Sequence, residues 1–430
     1  MSLYSTNGDN QVVIGNLPAT QLAKNYGTPL QVYDVDSIRQ QIRAFKNEFT
    51  KKNISGTVSY ASKALSIKAI YQIIEEENAH ADVVSGGELA TAIAAGFPAH
   101  NLSFHGNNKS RFELDYAIKN GIGMVIVDNF HELDLLDQVL KVNNAHVNIL
   151  IRVTPGISAH THEYIQTGQA DSKFGFDIHS GQADHALQIA LANKRINVLG
   201  IHAHIGSQIF DTQGFELESQ KLIHLLSNWE EKYDFTAQIL NIGGGFGIKY
   251  TNGDDPLKPE AILGDVLDHI QHEYDLLQKS VPSIWIEPGR AIVGPAGYSL
   301  YTIGSRKDVP GLQPYLTVDG GMGDNLRPAL YQAEYAAVLA ENPNASNYET
   351  VHLAGKYCES GDILIDHLKL PQTKPGDTIV ILATGAYGYS MASNYNRNPR
   401  PAVVFVENGE AKMVVKRETF ADLIQNDLDY

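Results

Sequence analysis

Short apolar runs rich in β-branched and aromatic residues alternate with amphipathic segments between Thr57 and Gly289. Eight such runs occur: TVSYAS, ADVVS, LSFHG, MVIVD, VNILIRV, VLGIHAHIG, ILNIGGG and SIWIEPG. The segment that follows the first run, IKAIYQIIEEE, repeats its apolar positions at helical spacing. Eight strand and helix units over roughly 250 residues indicate a (β/α)8 barrel rather than a doubly wound sheet. We assign this barrel to residues 36–294.

A different pattern begins after about Pro295. Short alternating runs such as PYLTVDGG and PAVVFVENGEAKMVVK are separated by Gly, Pro and Asn, which is typical of an all-β domain. The early stretch TPLQVYDVDSI has the same character. We therefore predict a β-domain, a Greek-key barrel or sandwich, that takes strands from both ends of the chain, residues 1–35 and 295–430.

Composition narrows the range of functions. The 430-residue chain has a formal net charge of −16, which repels phosphodiester backbones and argues against a nucleic-acid partner. Neither a charged segment followed by an apolar one at the N-terminus nor a run of 18 apolar residues is present. We expect a soluble cytoplasmic protein that binds small molecules and no membrane. The single cysteine, Cys358, excludes an internal disulfide and a cysteine zinc cluster.

Polar residues collect at the carboxyl ends of the predicted barrel strands. In a parallel barrel these ends face the catalytic mouth, whereas the opposite ends serve stability. So many polar side chains on one rim indicate a ligand. They are Lys63, Asp82, Ser85, His105, Asp128, Arg152, His204, Ser207, the glycines Gly243 to Gly245, Glu287 and Arg290.

Lys63 is the candidate nucleophile. A lysine at the barrel rim can simply be exposed to solvent and have no function. Because Lys63 lies among apolar neighbours at a strand end, however, we expect it to be desolvated. Desolvation lowers the pKa of a lysine and lets it form a Schiff base with a carbonyl. The carbonyl could belong to a sugar phosphate or to pyridoxal phosphate.

The run NIGGGFG predicts a phosphate-binding site. Gly243, Gly244 and Gly245 let backbone amides approach an anion, and we expect them at the start of the next helix. Ser207 could bind a phosphate oxygen, and His204 could lie against a flat ring. His202 and His204 form an H-x-H pair suited to a metal, but no third ligand has suitable spacing, so we predict no metal.

Glu287 ends the eighth run, and Pro288 and Gly289 then turn the chain out of the strand. A buried carboxylate needs a cationic partner. Arg290 could be that partner. Alternatively the partner is a protonated pyridine nitrogen, because a carboxylate there keeps a cofactor ring cationic and able to accept electrons.

The predicted β-domain supplies further candidates. Cys358 is either a small buried hydrophobe or, given its polar neighbours, a thiol that delivers a proton. Arg327 and Tyr331 place a cation and a hydroxyl one helical turn apart, which suits a carboxylate.

The motifs YASKA, FHGNNKS, HAHIGSQ, GGGFG, EPGR, RPALY, CESGD and GAYGYSMASNYNRNPRP occur in this order. With them the chain resembles the fold-type III pyridoxal-phosphate decarboxylases from about Thr28 to about Val406. The resemblance implies an alanine-racemase-like barrel with a C-terminal β-domain, and a homodimer whose active sites lie at the interface. It also implies pyridoxal 5'-phosphate as cofactor. Within the family, the sequence is most similar to members that convert meso-2,6-diaminopimelate to L-lysine and carbon dioxide, the last step of lysine biosynthesis.

The resemblance also implies residue roles. Lys63 is the Schiff-base lysine, Glu287 the partner of the pyridine nitrogen, Cys358 the proton donor from the other subunit, and Glu359 the holder of the distal amino group. The implied cofactor contacts are His204, Ser207, Gly244, Gly245, Pro288, Gly289, Arg290 and Tyr387. The implied substrate contacts are Arg290, Arg327, Tyr331, Glu359 and Tyr387, together with the segment Thr167 to Phe176.

Three alternatives stay open on the same residues. A decarboxylase of arginine or ornithine would act on a substrate without a second carboxylate, which the arginines Arg290 and Arg327 disfavour. An alanine racemase would place an arginine, not Glu287, on the ring nitrogen. A non-catalytic cofactor-binding relative should have lost Lys63 or Cys358.

Overall fold

The computed structural model describes residues 3–157 and 172–430. Its strands are β1 (Ser5–Thr6), β2 (Val12–Ile14), β3 (Leu17–Pro18), β4 (Leu30–Asp34), β5 (Gly56–Ala61), β6 (His80–Val83), β7 (Leu102–Phe104), β8 (Met124–Val127), β9 (Val147–Thr154), β10 (Phe176–Asp177), β11 (Ile196–His202), β12 (Ile239–Asn241), β13 (Ser283–Ile286), β14 (Gly297–Lys307), β15 (Tyr315–Val318), β16 (Ala337–Leu339), β17 (Tyr348–Ala354), β18 (Ile363–Pro371), β19 (Thr378–Ile381), β20 (Ala402–Glu407) and β21 (Glu410–Val415). Its helices are α1 (Ala19–Tyr26), α2 (Val35–Lys52), α3 (Lys68–Glu76), α4 (Gly86–Ala94), α5 (Arg111–Lys119), α6 (Phe130–Asn143), α7 (Gln182–Ala192), α8 (Gln213–Tyr233), α9 (Pro259–Leu276), α10 (Arg290–Val293), α11 (Arg327–Tyr331) and α12 (Phe420–Ile424).

The chain divides into two compact units. The barrel unit comprises Gln41–Ile248 and Pro256–Ala291. The β unit comprises Met1–Gln40, Lys249–Asp255 and Ile292–Tyr430.

Eight parallel strands form the barrel, in the order β5, β6, β7, β8, β9, β11, β12 and β13. The sheet closes because β13 pairs with β5, with Ile284 opposite Gly56, and β8 pairs with β9, with Val125 opposite Ile149. The barrel predicted from eight apolar runs is confirmed. The short strand β10 pairs with β9 outside the ring of eight, and no run in the sequence predicted it.

Burial explains why these segments form strands and helices. Every residue of β8 and β12 is buried, as expected for parallel strands that are covered on both faces. Helix α3 buries one stripe, Ile70, Tyr71, Ile73 and Ile74, in agreement with its helical spacing. Ser85 and Ser110 cap α4 and α5, and each hydroxyl oxygen accepts a hydrogen bond from the backbone three residues later.

The β unit is built on a sheet in the order β18, β17, β15, β14, β4, β20 and β21, and β19 pairs with β14 and β16. Strand β4 lies antiparallel to β14 and parallel to β20. The C-terminal domain therefore incorporates an N-terminal strand, as the sequence predicted. Its core packs apolar residues from both ends of the chain, including Leu30, Val32, Leu300, Val380 and Val404.

Among the described residues, no helix combines the length and the apolar character needed to span a bilayer.

Candidate active site

Lys63 lies directly after β5, in a short 3₁₀ turn formed by Ser62–Ala64. The neighbouring turn Glu287 to Arg290 packs against this strand end, because the Ala61 amide donates to the Pro288 carbonyl at 3.3 Å. A Cβ at Gly289 would lie 2.8 Å from the Ala61 oxygen, so this contact requires glycine. The predicted desolvation of Lys63 is wrong for this structure. Its side chain is exposed, and its charge acts on the side chains of Glu88 and His204.

Glu287 follows β13 and is held by three side chains from other strands. His202 Nε2 donates to Oε2 at 3.0 Å, and Asn241 Nδ2 donates to Oε1 at 2.6 Å. His105 Nε2 lies 3.3 Å from Oε1. Burial alone would raise the pKa of this carboxyl, but His105 and His202 hold it well below its usual range. Glu287 is therefore a buried carboxylate that stays ionised at neutral pH.

A second carboxylate lies on the other side of His105. Asp82 Oδ1 is 3.7 Å from His105 Nε2 and accepts a hydrogen bond from the Ser59 hydroxyl. Burial disfavours the imidazolium of His105, but Glu287 and Asp82 outweigh it and raise its pKa to about 9. Burial, with the charge of Glu287, raises the pKa of Asp82 to about 6. Burial lowers the pKa of His202 to about 4, so His202 is neutral.

His105, His202 and Glu287 also form a group of three possible metal ligands, with their ligand atoms all within 4.8 Å of one another. The sequence had paired His202 with His204 and found no third partner. In the structure His202 instead contacts Glu287, which comes from a distant strand. The contacts within the group pair a carboxylate with hydrogen-bond donors, so an ion-pair network explains them without a metal.

The glycine run lies close to neighbouring backbone. A Cβ at Gly244 would lie 2.1 Å from the backbone carbonyl oxygen of Glu287, and a Cβ at Gly243 would lie 2.4 Å from the backbone carbonyl oxygen of Ala203. Gly243 and Gly245 have φ of 67° and 113°, which favours glycine. The expectation that a helix starts here is wrong. The next helix, α9, begins at Pro259, because the run pairs with the preceding loop and Ile209 donates to the Gly245 carbonyl.

The other predicted cofactor contacts adjoin this run. The Gly244 amide donates to His204 Nδ1 at 3.3 Å, and Arg290 Nη2 donates to Ser207 Oγ at 3.0 Å. Burial, with the charges of Lys63 and Arg152, lowers the pKa of His204 well below its usual value, so its ring is neutral. Arg290 was considered as the partner of Glu287. The structure gives Glu287 the partners His202 and Asn241, and joins Arg290 to Ser207.

Two further buried cations of the rim, Lys109 and Arg152, have acidic partners within the barrel. Lys109, in the motif FHGNNKS, pairs with Glu132 at 2.7 Å and donates to the carbonyls of Gly106 and Ile126. Arg152 lies 3.6 Å from Asp128 and stacks on Phe174. These contacts fix the loops after β7, β8 and β9.

The barrel residues fit pyridoxal phosphate. Asp82, Glu287 and protonated His105 together carry one net buried negative charge, which suits a protonated ring nitrogen. The glycine turn with Ser207 and Arg290 offers amides, a hydroxyl and a guanidinium to a phosphate. Lys63 supplies an exposed amine beside the turn that contains Glu287.

Within the β unit, Arg327 is surrounded by tyrosines. It is 8% exposed, and Nη1 donates to the hydroxyls of Tyr250 and Tyr335. It also lies 5.9 Å from the centre of the Tyr387 ring. Burial disfavours the charge, but Tyr250 and Tyr335 raise the pKa of Arg327 above its usual value. Tyr331, one turn away on α11, is 41% exposed.

Cys358 and Glu359 are both exposed, and the Cys358 amide donates to Asn396 Oδ1 at 2.8 Å. The interpretation of Cys358 as a small buried hydrophobe is therefore wrong. Of the predicted substrate segment, residues 167–171 lie outside the described part of the chain.

Sequence reasoning missed several partners, namely Asn241, Tyr250, Tyr335 and Asn396. Asn241 ends β12, so the rule that selected strand-end residues could have found it. The two tyrosines lie far from Arg327 in sequence or beyond its helix, and no local spacing indicates them.

Comparison with known proteins adds the family. Residues 35–294 match the pyridoxal binding domain of the pyridoxal-dependent decarboxylases. The chain is 55% identical over 412 residues to diaminopimelate decarboxylase of Bacillus methanolicus, covering 96% of this chain and 95% of that protein. It is 52% identical to the Bacillus subtilis enzyme of the same name, covering 100% and 99%.

Solved structures agree. Diaminopimelate decarboxylase from M. jannaschii in co-complex with L-lysine superposes with a TM-score of 0.93 at 33% identity, covering 100% of this chain and 99% of that one. The Helicobacter pylori enzyme complexed with L-lysine gives 0.85 at 31% identity, covering 94% and 98%.

Proposed function

This chain belongs to the pyridoxal-dependent decarboxylase family and, within it, to the diaminopimelate decarboxylases, and we propose that it converts meso-2,6-diaminopimelate to L-lysine and carbon dioxide. This reaction is the last step of lysine biosynthesis. The cofactor is pyridoxal 5'-phosphate. The observation that carries the proposal is Glu287, a buried carboxylate kept ionised by His105 and His202 beside the turn that bears Lys63.

Bound pyridoxal phosphate supplies a cationic ring that takes up the electron pair left when the bond to carbon dioxide breaks. Lys63 Nζ would anchor the cofactor, and Glu287 would keep the ring nitrogen protonated. Ser207, Gly244, Gly245 and Arg290 would hold the phosphate, and His204 would pack against the ring. The turn residues Pro288 and Gly289 and the loop residue Tyr387 complete the cofactor contacts. In this proposal residues 36–294 bind the cofactor.

Residues of the β unit bind the substrate and complete the reaction. Arg327 and Arg290 bind its carboxylates with help from Tyr331 and Tyr387, and the buried, charged state of Arg327 supports this role. Glu359 holds the distal ammonium group. Cys358 Sγ delivers a proton to the carbon that has lost the carboxyl group.

We further propose a homodimer in which Cys358 and Glu359 act in the active site of the partner subunit. Their exposure in a single chain supports this assignment. An exposed catalytic thiol must also stay reduced, which supports a location in the reducing cytoplasm.

A carbon dioxide release assay tests the proposed function. Purified protein with added pyridoxal phosphate should release carbon dioxide from meso-diaminopimelate and at most about 1% as fast from arginine or ornithine, because those substrates lack a second carboxylate for the arginines. Arg327→Lys should lower activity on meso-diaminopimelate, whereas Arg306→Lys, at an exposed ion pair of the β unit, should not. Faster release from ornithine would refute the substrate assignment.

A further inference from the structure

We propose that Asp82 and His105 are positioning residues for Glu287, and that together the three side chains present a single net negative charge to the protonated ring nitrogen of the cofactor. This inference rests on the proposed function, because the ring nitrogen is that of pyridoxal phosphate. Neither Asp82 nor His105 has to touch the substrate in order to act.

The geometry places one imidazole between two carboxylates. His105 Nε2 lies 3.3 Å from Glu287 Oε1 and 3.7 Å from Asp82 Oδ1. The three residues are 6%, 9% and 3% exposed in the same order. Two buried carboxylates this close to one another cannot both ionise without a cation between them. His105 is that cation.

Neither His202 nor Arg152 can serve as the cation between the two carboxylates. His202 is neutral and donates to Glu287, and its ring meets the His105 ring edge to face at 5.0 Å. Arg152 is paired with Asp128. Within residues 3–157 and 172–430, several charged or titratable groups surround the cluster of Asp82, His105 and Glu287. They are Lys63, Tyr71 of α3, Glu88 of α4, Arg152 of β9, His202 of β11, His204 and Glu218 of α8.

The net charge of Asp82, His105 and Glu287 predicts that a second substitution can rescue a first one. With Asp82 and Glu287 ionised and His105 protonated, the cluster carries one negative charge. Asp82→Asn leaves a cation and an anion, so nothing offsets the ring nitrogen until His105 loses its proton. Adding His105→Asn to Asp82→Asn removes that cation and restores one negative charge. The second substitution should therefore rescue the first.

The experiment measures the dissociation constant of pyridoxal phosphate from pH 7 to pH 8.5, where wild-type Asp82 is ionised, by absorbance, for wild type, Asp82→Asn, and the double variant Asp82→Asn with His105→Asn. The dissociation constant of the wild-type protein should not change with pH over this range. Asp82→Asn should bind pyridoxal phosphate about tenfold more weakly at the low end of the pH range, because one charge interaction is lost. The dissociation constant of the double variant should again be independent of pH. His100→Asn, at an exposed histidine before β7, is the control and should match wild type.

Imidazole titration by NMR in the cofactor-free wild type tests the ion pair without any variant. His105 should titrate near pH 9 and His202 near pH 4. A double variant that binds cofactor more weakly than Asp82→Asn at pH 7, or a His105 that is neutral at pH 7, would overturn the inference. Wild type that binds no cofactor would instead refute the proposed function, and this inference with it.

Discussion

At the scale of single residues, the site depends on how Glu287 is surrounded. Its hydrogen-bond donors come from β11 and β12 and its charged partner His105 from the end of β7, so three separate strands must close into one barrel before the carboxylate has these partners. The sequence identified Glu287 from its position at a strand end. It could not identify Asn241 and His202 as its hydrogen-bond donors or His105 as its charged partner, because these contacts depend on the closure of the sheet.

Glu287→Gln removes the anion from this network. The amide cannot balance a cationic ring, so we expect kcat to fall by at least about a hundredfold, which corresponds to roughly 3 kcal/mol, while cofactor is still bound. Steady-state kinetics measure the effect. Glu75→Gln, at an exposed position of α3, is the matched control. Wild-type turnover in the Glu287 variant would remove this residue from the reaction.

Cys358→Ala tests the exposed thiol. Because Cys358 packs in no core, we expect a change in the free energy of unfolding within about 0.5 kcal/mol and unchanged cofactor binding. Product formation should slow at least about tenfold, since the proton donor is lost. Ser346→Ala, at an exposed position before β17, should behave as wild type. Unfolding with little loss of specific activity would instead indicate a packing role.

At the scale of elements, helix α8 contains a buried acid with no function in the proposed reaction. Glu218 is fully buried, and among the described residues neither of its carboxyl oxygens has a hydrogen-bond partner. Burial, with the charge of Glu287, raises its pKa well above the usual value. The folded chain therefore binds a proton at Glu218 that the unfolded chain has released above about pH 4.

This difference gives a stability prediction. The free energy of unfolding should fall as pH rises from about 4 toward the raised pKa of Glu218, because the folded state must keep its proton. Glu218→Met should make that slope shallower, the remainder coming from other groups with raised pKa values such as Asp82 and His105, and should add about 1–4 kcal/mol at pH 8. Denaturant unfolding at pH 5 and pH 8 measures both, with Glu231→Met, at an exposed position of α8, as control. A variant less stable than wild type at pH 8 would contradict the account.

Elements also show where sequence patterns stop being informative. The periodicity of α3 and the eight strands followed from local apolar spacing. The glycine run was expected to open a helix, yet it forms an irregular turn, because its glycines are required by close approach of Ala203 and Glu287 backbone rather than by a helix start. Lys63 is exposed in the turn after β5, although its neighbours in the sequence are apolar.

At the scale of the whole molecule, the two units were recognisable from a change in pattern, and the pairing of β4 with β14 and β20 confirms that the C-terminal sheet uses an N-terminal strand. The proposed homodimer follows from the exposure of Cys358 and Glu359 and from the family.

Mixing two inactive variants tests the shared active site. If Lys63 and Cys358 of one site come from different subunits, a heterodimer of Lys63→Ala and Cys358→Ala chains has one intact site. Random exchange should then restore up to about a quarter of wild-type activity, since half of the dimers are mixed and each has one working site. Mixing Lys63→Ala with Lys63→Met chains is the control and should restore none. Absence of rescue after proven subunit exchange would contradict the shared site.

The most direct test of the account is to find where the cofactor is attached. Holoenzyme is reduced with borohydride, digested, and mapped by mass spectrometry, with Lys63→Ala treated in parallel. The account predicts that the cofactor mass lies on the peptide containing Lys63 and that the variant lacks it. A cofactor on the neighbouring exposed Lys68, or equal labelling of the Lys63→Ala protein, would contradict the central role of Lys63.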